Sequence, residues 1–162
     1  MYDSEQIVTL RRVLAQLRRG ARARAAHDLA VAPGPIRTAR ARFDPRPGAP
    51  ALARRMIDEL VGDYDTRFAF YLRLVASELV KNAVLYGSDR DPIRIETKLF
   101  PDWAELRVQN SGRRLSMRKL RTRRREGGRG LDIVDALAEA WSIETGPLGT
   151  KITVRLPIEP AG

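Results

Sequence analysis

The sequence predicts an α+β fold, a two-layer sandwich in which a mostly antiparallel sheet carries helices on one face. Residues 51–61 and residues 66–86 each repeat their apolar side chains at helical spacing. Two later pairs of segments alternate apolar and polar residues across short turns, which is typical of β-hairpins. Strands joined by turns run antiparallel, and helices with one apolar stripe bury that stripe against the sheet.

The first 34 residues are predicted to be an extension that precedes the main domain at residues 35–162. A helix is expected over residues 3–30, because the apolar positions from Ile7 to Ala21 keep helical spacing. Such a helix packs on its own domain or on a second copy of the chain. A basic arm that binds nucleic acid is the alternative.

The main domain alternates between segments of helical period and segments of period two. Prolines and glycines separate them. In chain order we predict an edge strand at 36–43, a loop at 44–50, helices at 51–61 and 66–86, strands at 93–99 and 103–108, a polar segment rich in arginine at 110–128, a helix from Gly130 to Ala138, and strands at 141–144 and 151–156.

Composition excludes several kinds of site. The 162 residues include no cysteine and a single histidine. Disulfide scaffolds, Cys-ligated metals and thiol nucleophiles are therefore excluded, and Ser–His–Asp hydrolysis is not expected. No apolar run approaches the roughly 20 residues of a membrane span. The N-terminus lacks the pattern of a signal peptide. We expect a cytoplasmic protein with no membrane partner.

The net charge of +10 is concentrated in two segments. Residues 1–43 carry a net charge of +6 and residues 113–129 a net charge of +8, so the rest of the chain sums to −4. Aromatic residues make up 6% of the sequence, and no aromatic side chains are interleaved with the basic ones as a stacking platform. Direct nucleic-acid binding is therefore not expected.

Helix 66–86 carries a pair of oxygen-bearing side chains in its second half. Glu78 and Asn82 are four residues apart and share a helix face. An amide oxygen suits a hard cation such as Mg²⁺, and a carboxylate can accept a proton. The alternative is a solvated face on which the two side chains hydrogen-bond to each other.

Two glycine-containing segments and one threonine add to this pair. Asn110 and Gly112 follow the second strand of the first predicted hairpin, and Gly127-Gly128-Arg129-Gly130 opens a helix. Backbone N–H groups at a helix start bind phosphate. A flexible loop is the alternative for the glycines, and an ordinary strand residue is the alternative for Thr150.

Taken in order, these segments resemble the ATPase domain of the GHKL superfamily. The resemblance covers residues 35–157 and is closest to the anti-sigma-factor serine kinase branch. The segments that carry it are Ser77-Glu78-Leu79-Val80-Lys81-Asn82-Ala83-Val84-Leu85-Tyr86-Gly87, Asn110-Ser111-Gly112, Gly128-Arg129-Gly130-Leu131-Asp132-Ile133-Val134 and Gly149-Thr150.

The resemblance implies a Bergerat fold that binds ATP and Mg²⁺ under a lid at residues 113–127. It also implies a homodimer that binds a sigma factor and phosphorylates a serine of an antagonist protein. Glu78 would be the general base. Asn82 would coordinate Mg²⁺. The remaining nucleotide contacts would come from Asn110, Gly112, Gly128, Arg129, Gly130, Leu131 and Thr150.

Two positions depart from the family pattern Asp-x-Gly-x-Gly. Asn110 stands in place of the aspartate that accepts a hydrogen bond from adenine, and Arg114 replaces the second glycine. A neutral acceptor in place of a charged one costs on the order of 1 kcal/mol. The sequence therefore leaves two functions open: an ATP-binding regulatory kinase, or a non-catalytic protein-binding module with a weakened or lost nucleotide site.

Overall fold

The computed structural model describes residues 33–64, 66–112 and 130–158. Apart from Pro33 and Gly34, these belong to the unit of residues 35–162. Several sequence predictions lie outside the described residues: the helix over 3–30, the lid at 113–127 with Arg114, and the nucleotide contacts from Gly128 and Arg129.

Five strands and three helices occur within the described ranges. Each matches an element predicted from the sequence, with ends that differ by at most two residues. In chain order they are β1 (Arg37–Phe43), α1 (Ala49–Val61), α2 (Thr66–Tyr86), β2 (Ile93–Leu99), β3 (Trp103–Asn110), α3 (Gly130–Leu137), β4 (Ala140–Gly146) and β5 (Gly149–Pro157).

The strands form one antiparallel sheet in the order β1-β2-β3-β5-β4. Strand β1 lies at an edge, as predicted, and β2–β3 and β4–β5 are the two predicted hairpins. The last hairpin places β5 between β3 and β4. In this register Asn110 at the end of β3 pairs with Thr150 at the start of β5.

One face of the sheet is buried beneath the helices. Alternate residues of β2, from Ile93 to Leu99, are buried, and β3 and β5 repeat the pattern. Helix α1 contacts β1, helix α2 contacts β2, β3 and β5, and helix α3 contacts β4. The predicted two-layer α+β architecture, with helices on one face of an antiparallel sheet, is confirmed.

Helix α2 is the central helix of this layer and has 21 residues. Its apolar stripe includes Leu72, Val75, Leu79 and Val80, which are at most 1% exposed. Burial of side chains of this size stabilises the fold by roughly 1.5–3 kcal/mol each. None of the helices in the described ranges is both long and apolar enough to cross a membrane.

Helix α1 begins two residues earlier than the sequence predicts. Ala49 and Pro50 form its first turn, where proline is tolerated because the N–H groups have no acceptor within the helix.

At the C-terminal end of α1, the Arg37 guanidinium donates to the Leu60 carbonyl oxygen at 3.1 Å. A cation is favourable at a helix C-terminus, so this contact joins α1 to the edge strand.

Ion pairs centred on Glu96 lie on the opposite face of the sheet. Its carboxylate accepts from Arg40 at 2.6 Å and lies 3.6 Å from the Lys98 nitrogen and 3.7 Å from an Arg107 nitrogen. Burial raises the pKa of Glu96, but the Arg40 hydrogen bond and the three positive charges outweigh it, so the pKa lies below its ordinary value. Because the Arg40 side chain is largely exposed, its pair with Glu96 adds little stability.

Candidate functional site

A pocket opens between helix α2 and the buried face of the sheet. Its cavity volume is about 10 Å³, the space of about one water molecule, and the pocket is open to solvent at its mouth. Its walls are mostly apolar and carry three polar side chains. The lining residues are Leu79, Asn82 and Ala83 of α2, Val108 and Asn110 of β3, Ile143 of β4, and Thr150 and Ile152 of β5.

Asn110 and Thr150 lie side by side in this pocket because they are cross-strand partners. Asn110 is 8% exposed and Thr150 is 2% exposed. The Thr150 hydroxyl has no hydrogen-bond partner among the described residues. A buried hydroxyl without a partner costs about 1–3 kcal/mol. A ligand with a polar edge that entered this pocket would recover that cost.

The Asn110 amide makes one weak hydrogen bond. Its Nδ2 donates to the Ser111 backbone oxygen at 3.4 Å, near the outer limit for such a bond. Within the described part of the chain, the amide oxygen is not paired with any donor. The sheet therefore presents an amide and a hydroxyl to the pocket, and both can take up further hydrogen bonds.

Glu78, Asn82 and the start of α3 meet beside the pocket. A Cβ added at Gly130 would lie 2.9 Å from the Glu78 Oε2 and 3.3 Å from the Asn82 Nδ2. The absence of a side chain at Gly130 thus brings the N-terminus of α3 close to both polar groups. Free backbone N–H groups at a helix start favour an anion such as phosphate.

The buried side chains of helix α3 and a hydrogen bond from Trp141 hold the helix in place. Leu131, Val134 and Leu137 are at most 5% exposed, and the Trp141 Nε1 donates to the Asp135 Oδ1 at 2.7 Å. Leu131 is not among the residues that line the pocket, so a contact of Leu131 with a phosphate would come from its backbone N–H. These contacts fix the direction in which the N-terminus of α3 points.

Gly149 and Gly112 support the corner where β3 ends and β5 begins. Gly149 has φ +111°, and a Cβ there would collide with the Asn110 carbonyl oxygen. A Cβ at Gly112 would lie 2.6 Å from the Ser88 backbone nitrogen, and Gly112 does not line the pocket. Gly149 therefore allows β5 to approach β3 at the position where Thr150 meets Asn110.

The structure brings most of the predicted site residues together. Asn82, Asn110 and Thr150 line one pocket, and Glu78 and Gly130 lie beside it. The apolar walls of the pocket were not predicted from the sequence. Alternation within the strands was the available signal, because it places Val108 on the face of Asn110 and Ile152 on the face of Thr150. These walls are Leu79, Ala83, Val108, Ile143 and Ile152.

Residues 43–156 match the family described as the histidine kinase-like ATPase domain. This match covers well over half of the chain. The chain is also similar in structure to the histidine kinase domain of a blue-light-activated histidine kinase from Erythrobacter litoralis EL346, with 16% identity and a TM-score of 0.47. That alignment covers 98% of this chain and 76% of the other. No curated protein matches the chain.

The family match shows that the chain belongs to the histidine kinase-like ATPase domain family. The predicted membership of the GHKL superfamily is thereby confirmed. The antiparallel sheet with helices on one face is consistent with the Bergerat fold of that superfamily.

Proposed function

We propose that this member of the histidine kinase-like ATPase domain family binds ATP with Mg²⁺ and acts as a regulatory protein serine kinase. The observation that carries the proposal is the pocket itself. An apolar slot ending in Asn110 and Thr150 lies next to the N-terminus of α3, where Glu78 and Asn82 meet. The apolar end at Asn110 and Thr150 suits a flat base, and the end at the N-terminus of α3 suits phosphates.

The base would occupy the apolar part of the pocket. Leu79 and Ala83 from α2 and Ile152 from the sheet supply walls without charge, which suit an aromatic ring. Asn110 and Thr150 lie on the same wall and would hydrogen-bond to the polar edge of the ring. The unpartnered Thr150 hydroxyl supports this placement, because a ligand would satisfy it.

The triphosphate would extend toward the start of α3. Backbone N–H groups there, including those of Gly130 and Leu131, would bind phosphate oxygens. Asn82 fits a Mg²⁺ ligand, because an amide oxygen is a hard donor and a half-turn of the terminal torsion exchanges the oxygen with the Nδ2 that lies near Gly130. Bound with the triphosphate, Mg²⁺ would neutralise part of the phosphate charge.

Glu78 is proposed as the base of the transfer step. A serine oxygen of the substrate bonds to the γ-phosphorus while the bond from that phosphorus to the β–γ bridging oxygen breaks. ADP leaves, and the serine proton passes to the Glu78 carboxylate. Positioned bases of this kind contribute about 10²–10⁴ in rate.

The partners are proposed from the sequence resemblance. We infer that the chain binds a sigma factor and phosphorylates a serine of an antagonist protein. We also infer that it forms a homodimer, with residues 1–34 as an extension outside the ATP-binding domain. The cytoplasmic location stays a prediction from the sequence.

Calorimetric titration tests the nucleotide site. ATP and ADP are added to the full chain with and without Mg²⁺, and the variants Asn82→Ala and Lys81→Ala are compared. Lys81 is the exposed neighbour of Asn82 on α2 and serves as the matched control. We expect saturable, Mg²⁺-dependent ATP binding in the parent and in Lys81→Ala, and loss of the Mg²⁺ dependence in Asn82→Ala.

Two results would contradict the proposal. If Asn82→Ala kept the full Mg²⁺ dependence of the parent, the metal role of Asn82 would be wrong. If no nucleotide gave heat or a thermal shift, the ATP site would be wrong as a whole. That second result would favour the alternative function, a non-catalytic module that binds a protein partner on this fold.

One observation favours this alternative. At Asn110 the pocket offers a neutral amide to its ligand and no carboxylate, and a neutral hydrogen bond is about half as strong as a charge-assisted one. If the chain bound a sigma factor with the same affinity in the absence and in the presence of ATP, it would be a protein-binding module that needs no nucleotide.

A further inference from the structure

In the described part of the chain, the side chains at the polar end of the pocket carry no charge. Among the described residues, the buried polar side chains are Thr97, Asn110 and Thr150, and none of them is ionisable. Asn110 and Thr150 are also the two polar side chains that the sheet contributes to the pocket lining. Recognition of a base at this end therefore depends on the direction of hydrogen bonds and not on charge.

Both side chains can reverse that direction. An amide presents an acceptor oxygen and a donor nitrogen, and a hydroxyl both donates and accepts. A half-turn of the terminal torsion of Asn110 exchanges its oxygen and nitrogen, and this torsion has a roughly two-fold profile. The Thr150 hydroxyl hydrogen rotates freely, because no described group pairs with it.

Little in the structure fixes the amide in one orientation. The single hydrogen bond that the Asn110 side chain makes with a described residue is the 3.4 Å contact from Nδ2 to the Ser111 carbonyl oxygen. In this orientation the amide oxygen is available to a donor, which suits a purine with an amino group at position 6. Rotation replaces this long hydrogen bond with a contact between two acceptor oxygens, those of the Asn110 amide and the Ser111 carbonyl, and the amide nitrogen then suits a purine with an oxo group there.

We propose that the pocket accepts nucleotides of both 6-amino and 6-oxo purines, with Asn110 and Thr150 reading either base edge. The inference rests on the proposed nucleotide-binding function. A carboxylate at position 110 would accept from an amino group and repel an oxo group, so it would enforce adenine. Asn110 enforces no such choice, and it leaves a preference for adenine of about tenfold or less, the equivalent of one weak hydrogen bond.

Calorimetry with ATP and ITP tests the proposal on the full chain in the presence of Mg²⁺. ITP differs from ATP at position 6 and lacks the additional amino group of GTP, so it isolates the contact with Asn110. We expect the parent to bind both nucleotides with affinities within about tenfold of each other. In Asn110→Asp the preference for ATP should widen about a hundredfold, mainly through loss of ITP binding.

Two further variants keep the result interpretable. Thr97→Val removes a buried hydroxyl away from the pocket and should leave the ratio of ATP to ITP affinity unchanged. Thr150→Val should weaken both nucleotides by a similar factor, because the hydroxyl serves both base edges. If Thr150→Val selectively weakened one nucleotide, the two-way role of Thr150 would be wrong.

Three other outcomes would overturn the inference. The first is an ITP affinity in the parent more than a hundredfold below that for ATP. The second is an Asn110→Asp variant that folds and keeps the parent ratio, because Asn110 would then not contact the base. The third is binding of neither nucleotide by the parent, and this last outcome alone would remove the proposed function as well.

Discussion

The buried face of the sheet has a closed part around Thr97 on β2 and an open part around Thr150 on β5. Both threonines are at most 2% exposed, and both have a hydroxyl that no described group pairs with. Thr97 lies between its strand partners Ala39 and Leu106, whereas Thr150 lines the pocket. An unsatisfied hydroxyl destabilises either part, but only beside a pocket can a ligand satisfy it.

The two parts also differ in how closely backbone approaches its neighbours. In the open part, Gly130 brings α3 against Glu78 and Asn82, and Gly149 brings β5 against the end of β3. The closed part is filled by large side chains such as Ile93 and Leu99, which are fully buried. Packing in the open part thus depends on glycines, which have no side chain, whereas packing in the closed part depends on large apolar side chains.

The largest expected effect is on folding and comes from Gly149→Ala. The new Cβ would collide with the Asn110 backbone, and alanine is strained at φ +111°. We expect the free energy of unfolding, measured by urea denaturation, to fall by about 3 kcal/mol.

Gly146→Ala is the matched control for Gly149→Ala. It lies at the other end of the same turn, and a Cβ there meets nothing within 4 Å. Its free energy of unfolding should change by less than about 0.5 kcal/mol. If Gly149→Ala and Gly146→Ala lost equal amounts of unfolding free energy, the contact of residue 149 with Asn110 would not limit the packing of this corner.

A second prediction separates chemistry from folding in the open part. Glu78→Ala should reduce phosphate transfer to the antagonist serine at least about a hundredfold, because a base acts in the chemical step. Nucleotide affinity should change less than about threefold. Radiolabelled ATP measures the transfer, and calorimetry measures the binding.

The exposed Glu59 on α1 is the control for Glu78, and Glu59→Ala should leave both quantities unchanged. Transfer at the parent rate in Glu78→Ala would show that Glu78 is not the base. The open part would then keep its ligand site, but it would lose its proposed role in the reaction.

The smallest expected effect compares the two threonines directly. Thr97→Val and Thr150→Val should each raise the free energy of unfolding of the nucleotide-free protein by about 1 kcal/mol, because each removes an unpaired hydroxyl. Only Thr150→Val should weaken ATP binding, by about fivefold to tenfold. Thermal denaturation with and without ATP measures both effects. Equal weakening of ATP binding by both variants would remove the distinction between the two parts.

Much of the fold follows from the local sequence pattern. Helix 66–86 and strand 93–99 have the predicted bounds because their periods are long and uninterrupted. Helix α1 begins earlier than predicted, because Pro50 belongs to its first turn and not to the preceding loop. The local sequence pattern predicts that a helix or strand exists more reliably than it predicts the residue at which that element begins or ends.

The site depends on strand order, which local pattern does not contain. The alternating sequence indicates that β3 and β5 are strands, but not that β5 lies between β3 and β4. The pairing of Asn110 with Thr150 follows from that order. The wall residues Ile143 and Ile152 look like ordinary strand residues in the sequence. Their part in the pocket therefore needed the structure.

The roles of the site residues remain predictions. Geometry places Asn82, Asn110 and Thr150 in one pocket, with Glu78 beside it, and the experiments above test what each one does. The contacts predicted for Gly128 and Arg129 lie outside the described residues.

Strand β1 has a consequence for the behaviour of the protein at high concentration. It forms one edge of the sheet, and edge strands offer unpaired backbone groups to strands of other molecules. Arg40 and Arg42 lie on this strand and are exposed, and Arg40 is also paired with Glu96 on β2. When two copies approach edge to edge, their arginines repel each other. This repulsion should oppose growth of the sheet from one molecule to the next, and so protect the chain from aggregation through β1.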